Sequence, residues 1–148
     1  MKAFYRAMTV VLACICGTWC SAAVNPVAGA LTWTGAEGGE WNTTALNWVD
    51  ENTNAVAWTQ GAKAVFNESA TTTTVTLAMN IVADSCMFTS QVYKVTGTNT
   101  LSVPSVTVKQ RKGRFLNAEF YCPLISSTGT LTKDGDGVVI LGAGGTLS

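Results

Sequence analysis

The amino-acid sequence predicts an all-β protein, and three observations carry that prediction. Short runs rich in Thr, Val and aromatic residues recur along the chain after residue 24, and these residue types favour strands. Gly, Asn and Asp separate the runs at intervals of about ten residues, a spacing typical of a sandwich, a barrel or a solenoid. No window after residue 24 has sustained helical periodicity. The choice among these all-β architectures stays open at this point.

Residues 1–23 have the features of a secretory signal peptide. Lys2 and Arg6 precede the apolar run Ala7–Gly17, and Ser21 and Ala23 fit the small-residue pattern of a cleavage site. The run is too short to cross a bilayer, which takes about 20 residues. A lipoprotein signal cleaved before Cys14 is the alternative. We expect an exported protein that is cleaved near Ala23.

The composition argues against several classes of function. The chain has 9 basic and 9 acidic residues and no His. Removal of Lys2 and Arg6 with the signal peptide leaves seven basic and nine acidic residues, a net charge of −2, whereas nucleic-acid binders have a clearly basic surface. The absence of His removes the commonest general base and transition-metal ligand. We therefore expect no enzyme, no catalytic residues, no metal, no cofactor and no nucleic-acid partner.

The region 71–148 contains most of the strand runs, separated by turn signals. The runs are Thr71–Leu77, Cys86–Thr89, Gln91–Thr96, Thr100–Val103, Ser105–Lys109, Phe115–Cys122 and Val138–Leu141. The turn signals are Gly97-Thr98-Asn99, Lys112-Gly113 and Asp134-Gly135-Asp136-Gly137. The basic run 109–114 favours a solvated hairpin tip over contact with an acidic polymer. The Asp134–Gly137 segment favours a polar turn over a calcium loop, because no bidentate Glu follows at the spacing of an EF-hand.

Four tryptophans lie in the region 24–70, and they allow two interpretations. Trp33, Trp41, Trp48 and Trp58 fall within 26 positions. Large aromatic side chains can fill the end of a β-stack, or they can present flat faces that stack on sugar rings. The acidic residues among them, Glu37, Glu40, Asp50 and Glu51, are more typical of a solvated loop than of the carboxylate pair of a glycosidase.

Two stretches resemble a known family. The segment 126–143 reads SSTGTLTKDGDGVVILGA, with Leu131-Thr132-Lys133, Gly135, Gly137, Leu141 and Gly142 at the positions of the autotransporter-associated β-strand repeat. Asp134 and Asp136 depart from its pattern, in which small or uncharged residues are usual. The Trp-rich segment 31–61 resembles the opening that often precedes such repeats. The resemblance is loose over about seven-tenths of the chain and specific over about 18 residues.

The resemblance implies a right-handed β-solenoid, or β-helix, of the kind found in the passenger regions of bacterial secreted or surface-anchored proteins. Residues 24–70 would then form a Trp-rich capping region, and residues 71–148 would form solenoid strands with one repeat at 126–143. Leu131, Val139 and Leu141 would point inward. The function expected from this resemblance is that of an exported, non-catalytic structural protein, a stalk or adhesin, secreted or held at the bacterial cell surface or outer membrane. The alternative is an exported β-domain that binds a glycan or cell-surface polymer through Trp33, Trp41, Trp48 and Trp58.

Two further expectations follow from a solenoid. Export removes three of the five cysteines and leaves Cys86 and Cys122, which lie 36 positions apart. Coils of about 20 residues would place them two coils, roughly 10 Å, apart, beyond the approximately 7 Å limit of a disulfide. We expect free, buried thiols, whereas one long coil would make the two cysteines neighbours able to form a bridge. A bare last coil also exposes strand edges, so we expect self-association or further repeats at the C-terminal end.

Overall fold

The computed structural model describes residues 29–89, 91–109, 117–125 and 132–148. The expected signal peptide and most of the basic run 109–114 lie outside these ranges. The regular elements within them are all strands: β1 Ala30–Trp33, β2 Glu40–Trp41, β3 Trp48–Val49, β4 Ala55–Val56, β5 Lys63–Phe66, β6 Thr74–Leu77, β7 Ile81–Val82, β8 Ser85–Phe88, β9 Tyr93–Thr96, β10 Leu101–Ser102, β11 Ser105–Val108, β12 Asn117–Tyr121, β13 Pro123–Ile125, β14 Thr132–Asp134, β15 Val138–Leu141 and β16 Thr146–Leu147. The all-β prediction is confirmed.

The strands form three sheets that run along the stack. Sheet A has the order β14-β11-β8-β5-β1-β3-β4, sheet B the order β15-β12-β9-β6-β2, and sheet C the order β16-β13-β10-β7. From β5 onward the chain visits A, B and C in rotation, and each strand pairs in parallel with its counterpart in the next coil. This arrangement is a β-solenoid, as the sequence predicted.

The length of the coils follows from the strand register. Lys63 pairs with Ser85, 22 positions later, and Cys86 pairs with Val106, 20 positions later. The step from β11 to β14 is longer, because Ser105 pairs with Thr132, 27 positions later. Two of these three steps are therefore close to the expected 20 residues, and the third is longer.

Alternation along each strand divides the side chains into inward and outward rows. In sheet A the inward row Ala64, Cys86 and Val106 is buried in successive coils. In sheet B the outward residues Thr76 and Thr96 are neighbours, and their hydroxyl oxygens lie 3.2 Å apart. Strands rich in alternating Thr and Val are therefore suited to a stack with a dry interior and a hydroxyl-bearing surface.

Aromatic rings continue through the interior from coil to coil. Phe66 and Phe88 occupy paired positions in sheet A, and their rings stack with centroids 4.6 Å apart and an interplanar angle of 6°. Phe88 then meets Phe120 of sheet B edge-on, at 5.9 Å and 87°. Tyr93 packs against Phe66 and Phe88 and donates its hydroxyl to the carbonyl of Asn67 at 2.5 Å. Burial, with Glu68 nearby, raises the pKa of Tyr93 to about 12.

The two cysteines of the described region are buried and free, as predicted. Cys86 lies on β8, and Cys122 lies between β12 and β13, in the following coil. They are therefore one coil apart at different places around the stack, not two coils apart. Burial raises the pKa of Cys86, with a smaller contribution from the nearby Cys122, and burial raises the pKa of Cys122 to about 11.

The solenoid begins earlier in the chain than the boundary at residue 71 suggests. Strand β1 already pairs in parallel with β5 in sheet A, with Leu31 beside Ala64. The Trp-rich region thus contributes strands to the stack as well as the elements that close its N-terminal end.

Candidate functional site

The N-terminal end of the stack is closed by a different device in each sheet. In sheet A the direction of pairing changes. Strand β3 runs antiparallel to β1, with Trp48 opposite Trp33, and β4 runs antiparallel to β3, with Ala55 opposite Val49. The parallel template therefore ends in a short hairpin. Its outer strand β4 is only two residues long, and very short edge strands offer little backbone onto which another chain could pair.

The turn of this hairpin is organised by the carboxylate of Asp50. One carboxylate oxygen accepts backbone N–H bonds from Asn52 at 2.9 Å and Asn54 at 2.8 Å, and the other accepts from the Asn54 side chain at 3.0 Å. Thr53 has a φ of 65°, in the left-handed region that such a tight turn requires. The hydrogen bonds from Asn54 hold the pKa of Asp50 below its usual value.

In sheet B a buried side chain closes the edge. Asn47 donates from Nδ2 to the carbonyl of Glu40 on β2 at 2.9 Å, and its Oδ1 accepts the backbone N–H of Glu37 at 2.7 Å. Asn47 is the buried polar residue of the described core. Both of its amide groups are satisfied, as burial requires. The edge of β2 is thereby blocked, because its outward carbonyl is already bonded.

In sheet C the side chain of Gln60 takes the place of a strand. Its Oε1 accepts the backbone N–H of Val82 at 2.7 Å, and its Nε2 donates to the carbonyl of Asn80 at 2.9 Å. These are the bonds that a neighbouring backbone would make along β7. The indole N–H of Trp58 also donates to Gln60 Oε1, at 3.1 Å, which fixes the side chain in place.

The four tryptophans lie together in the space that these devices enclose. All four are buried. The ring centroids of Trp41, Trp48 and Trp58 are mutually 4.7 to 5.0 Å apart, and Trp33 meets Trp48 edge-on at 5.1 Å. Tilted and edge-to-face contacts of this kind contribute about 0.5–1.5 kcal/mol each beyond the burial of area.

Their burial corrects the interpretation of Trp33, Trp41, Trp48 and Trp58 as a glycan-binding face. A sugar stacks on an exposed ring face, and these rings are covered by one another and by Phe66. The sequence does bring the four residues together as expected, but inside the protein. They close the end of the stack, which is the other interpretation of the pattern.

The four indole N–H groups are satisfied unequally. Trp33 donates to the carbonyl of Thr72 at 2.9 Å, and Trp58 donates to Gln60. The N–H groups of Trp41 and Trp48 are buried without a hydrogen-bond partner. A buried donor without a partner costs about 1–3 kcal/mol, so packing of the rings has to offset this cost. In a site that binds a polar ligand, we would instead expect the indole N–H groups to be exposed so that they could donate to the ligand.

The acidic residues of the cap are engaged in local hydrogen bonds. Glu37 accepts the backbone N–H of Leu46 at 2.8 Å, and Glu40 accepts from the Asn42 side chain at 3.3 Å. Asp50 is held in the hairpin turn. Within the described ranges, no group of three or more Cys, Asp or Glu is placed to hold a metal ion.

The opposite end of the stack is open over the described strands. In sheet C the inward row continues from Leu124, which is buried, to Leu147, which is 55% exposed. In sheet B it continues from Phe120, which is buried, to Leu141, which is 43% exposed. The same kind of side chain is buried where another coil covers it and exposed where none does, as expected for stacked coils.

Lys133 makes sheet A an exception at this end. It pairs with the buried Val106 and therefore occupies the inward row. Its ammonium turns to the carbonyl of Gly135. An inward-pointing charge is a known protection against edge-to-edge pairing. At the open end, the inward rows of sheets B and C are therefore apolar, whereas the inward row of sheet A has the charged Lys133.

The predicted repeat at 126–143 is described from residue 132 onward. Val139 and Leu141 occupy inward rows, as expected, whereas Leu131 lies outside the described residues. The predicted turn contains Gly135 with a φ of 80°, which suits glycine. Gly142 serves a different purpose, because an added Cβ would collide with the ring of Tyr121, which lies over it.

Comparison with known proteins adds no relative: no family model, curated protein or solved structure matches the chain. In the part of the chain that the structure describes, no helix has the length and apolar character needed to cross a membrane.

Proposed function

We propose that this protein is an exported, non-catalytic structural protein, a passenger-type β-helix that forms a stalk or adhesin at a bacterial cell surface. The observation that carries the proposal is the asymmetry of the stack. One end is sealed by a hairpin, two side-chain caps and buried rings, and the other presents unpaired strand edges and exposed apolar rows. Similar coils stacked in parallel on one sealed end are suited to an elongated support.

The interior supports a mechanical rather than a chemical role. The buried row from Trp48 through Phe66, Phe88 and Phe120 consists of aromatic rings in contact. Both thiols are buried with raised pKa values, so they are poor nucleophiles. Two acidic residues of the cap, Glu37 and Asp50, accept backbone hydrogen bonds that hold the local loops and turns, which is a structural use of a carboxylate.

The glycan-binding alternative loses its main support, because the tryptophans that suggested it are buried. Binding of a sugar by this protein would have to use the outer surface. We therefore expect no glycan to be retained on an array by the purified protein. Retention of a defined glycan would contradict the purely structural role.

Export is tested with the full chain expressed in a Gram-negative host. Because Lys2 and Arg6 precede an apolar run, we expect extracytoplasmic protein whose first residue is Val24. The matched control is Val11→Asp, which places a charge in the apolar run and should retain the protein in the cytoplasm with Met1 intact. An unprocessed wild-type chain in the cytoplasm, or a mature chain that begins at Cys14, would contradict the proposed route.

A further inference from the structure

We propose that Asn42 is the acceptor of an N-linked glycan, and that the loop between β2 and β3 activates its side-chain amide for this modification. The inference rests on the export in the proposed function, because N-linked glycans are added to secreted chains. Two segments have the sequence Asn-x-Ser/Thr that such glycans require, 42–44 and 67–69. Both lie in loops between strands, and the last two residues of each are exposed.

The amide oxygen of Asn42 is held by three hydrogen bonds from the residues that follow it. The backbone N–H of Thr44 donates to Oδ1 at 2.9 Å, the hydroxyl of Thr44 donates at 3.0 Å, and the backbone N–H of Ala45 donates at 2.7 Å. Because a backbone N–H can only donate, these bonds determine which end of the amide is the oxygen. The nitrogen Nδ2 is therefore the end that faces Glu40.

The carboxylate of Glu40 lies beside that nitrogen. Nδ2 of Asn42 donates to Oε2 of Glu40 at 3.3 Å, and the side chain of Glu40 is exposed. An amide nitrogen is a poor nucleophile, because its lone pair is delocalised into the carbonyl group. Donors on the oxygen and a carboxylate on the N–H both favour loss of the amide proton, which makes the nitrogen able to attack. The Thr44 hydroxyl and the Glu40 carboxylate therefore act on opposite ends of one amide.

The modification joins Nδ2 to the anomeric carbon of a sugar. The donor is a lipid-linked oligosaccharide whose anomeric carbon is activated by pyrophosphate, and a host oligosaccharyltransferase brings donor and acceptor together. The new N–C bond forms as the C–O bond to the pyrophosphate breaks, and the electron pair of the broken bond leaves with the lipid pyrophosphate. One amide proton passes to a base, for which Glu40 is placed. No oxidant or reductant takes part.

The second segment has only half of this arrangement and serves as an internal comparison. Oδ1 of Asn67 accepts the backbone N–H of Ser69 at 2.9 Å and its hydroxyl at 2.6 Å, as Oδ1 of Asn42 does from Thr44. Two positions before Asn67, however, the chain has Val65, whose side chain cannot accept a proton. We therefore expect modification at Asn42 in preference to Asn67.

The test uses the purified, folded full chain with a polyprenyl-pyrophosphate-linked oligosaccharide. The enzyme is an oligosaccharyltransferase that requires only Asn-x-Ser/Thr, so any preference between the two segments comes from this chain. Mass spectrometry of proteolytic peptides should find the glycan on Asn42, with modification about tenfold or more faster there than at Asn67. A synthetic Asn-x-Thr peptide in the same reaction confirms that the enzyme is active.

Variants separate the contributions of the hydroxyl and the carboxylate. Thr44→Ser keeps the hydroxyl and should still be modified, whereas Thr44→Ala should not. Glu40→Gln should slow modification by about tenfold or more. Glu51→Gln is the matched control, because it removes an exposed acidic group from the β3–β4 turn, and it should leave the rate unchanged. Tryptophan fluorescence should match the wild type in every variant, since the tryptophans of the cap are buried in the folded state.

Three results would overturn the proposal. The first is modification of the synthetic peptide with none on the folded chain. The second is an equal rate at Asn42 and Asn67 in the wild type, a comparison that needs no variant to fold. The third is an unchanged rate in Glu40→Gln. Export is read separately, from the first residue of the extracytoplasmic protein, so the proposed function and this inference can fail independently. Preference for Asn42, together with slower modification in Glu40→Gln, would support the inference.

Discussion

Phe66 joins the tryptophan cluster to the rest of the interior, and its removal should destabilise the whole stack. It is fully buried on β5. Its ring contacts five others, with centroid distances from 4.6 to 6.3 Å: Trp33, Trp41, Trp48, Phe88 and Tyr93. Truncation of a buried Phe to Ala costs about 3–5 kcal/mol. Loss of several ring pairs places Phe66→Ala at the upper end, near 5 kcal/mol.

This loss is large compared with the stability of a small domain. Domains of this size unfold with a free energy of about 5–15 kcal/mol. With a urea dependence of about 2 kcal/mol per molar, a loss of 5 kcal/mol lowers the unfolding midpoint by about 2.5 M. The assay is a urea titration followed by tryptophan fluorescence, because four tryptophans of the cap are buried in the folded state.

Two variants at the same strand separate the ring contacts from general damage. Phe66→Leu keeps most of the volume, so it should cost only about 1.5 kcal/mol. Val65→Ala changes the next residue, which is in the outward row, and should cost less than about 1 kcal/mol. A midpoint for Phe66→Ala within about 0.5 M of that for Val65→Ala would refute the reasoning, because the ring would then not couple the cap to the coils.

Three other predictions follow from local geometry. Gly135→Ala should destabilise the protein more than Gly61→Ala. Both glycines have a positive φ, but only at Gly135 would the added Cβ meet the backbone of the preceding coil. Equal unfolding midpoints for the two variants would contradict this prediction. Cys86 and Cys122 should not react with a thiol reagent at pH 8 in the native protein, because both are buried and burial raises their pKa values. After denaturation, mass spectrometry should find both alkylated. Reaction in the native state, or no alkylation after denaturation, would contradict the prediction of free, buried thiols. The β3–β4 hairpin should open in acid, because the pKa of Asp50 is lowered in the folded state. The ionised Asp50 therefore stabilises the hairpin above about pH 4, and this stabilisation is lost as the pH falls through the folded pKa. Limited proteolysis in the turn should increase in acid for the wild type, and Asp50→Asn, which has no charge to lose, should remove this pH dependence.

The strands could be predicted from the sequence where side-chain type and alternation act together. Six of the seven predicted runs contain a whole strand of the structure, and the seventh, Cys86–Thr89, overlaps β8, which begins at Ser85. The strands that the composition did not indicate are mostly two residues long, such as Ile81–Val82 and Thr146–Leu147. Such short elements have too few residues to show alternation, and their conformation is imposed by the coil beneath them.

The position of the cap was predictable, but its construction was not. Four tryptophans in one region indicate a large buried cluster or an exposed aromatic face, and the sequence contains nothing that chooses between them. Asn47 and Gln60 close sheet edges through hydrogen bonds to residues 7 and 22 positions away. Side-chain caps of this kind depend on tertiary register, which single-sequence patterns do not specify. A polar side chain next to a turn glycine, as in Gln60-Gly61, is the one local signal that could have suggested such a cap.

The reversal of strand direction at β3 has a consequence for how the chain acquires its structure. A chain emerges from the ribosome N-terminus first, so the hairpin and the ring cluster become available while later residues are still absent. Each later coil can pair with a folded coil about 20 residues earlier in the chain, and only short loops have to close for this pairing to form. The coils can therefore fold one after another, from the capped N-terminal end toward the C-terminus. If the chain crosses a membrane in the same order, completed coils on the far side would hinder its return.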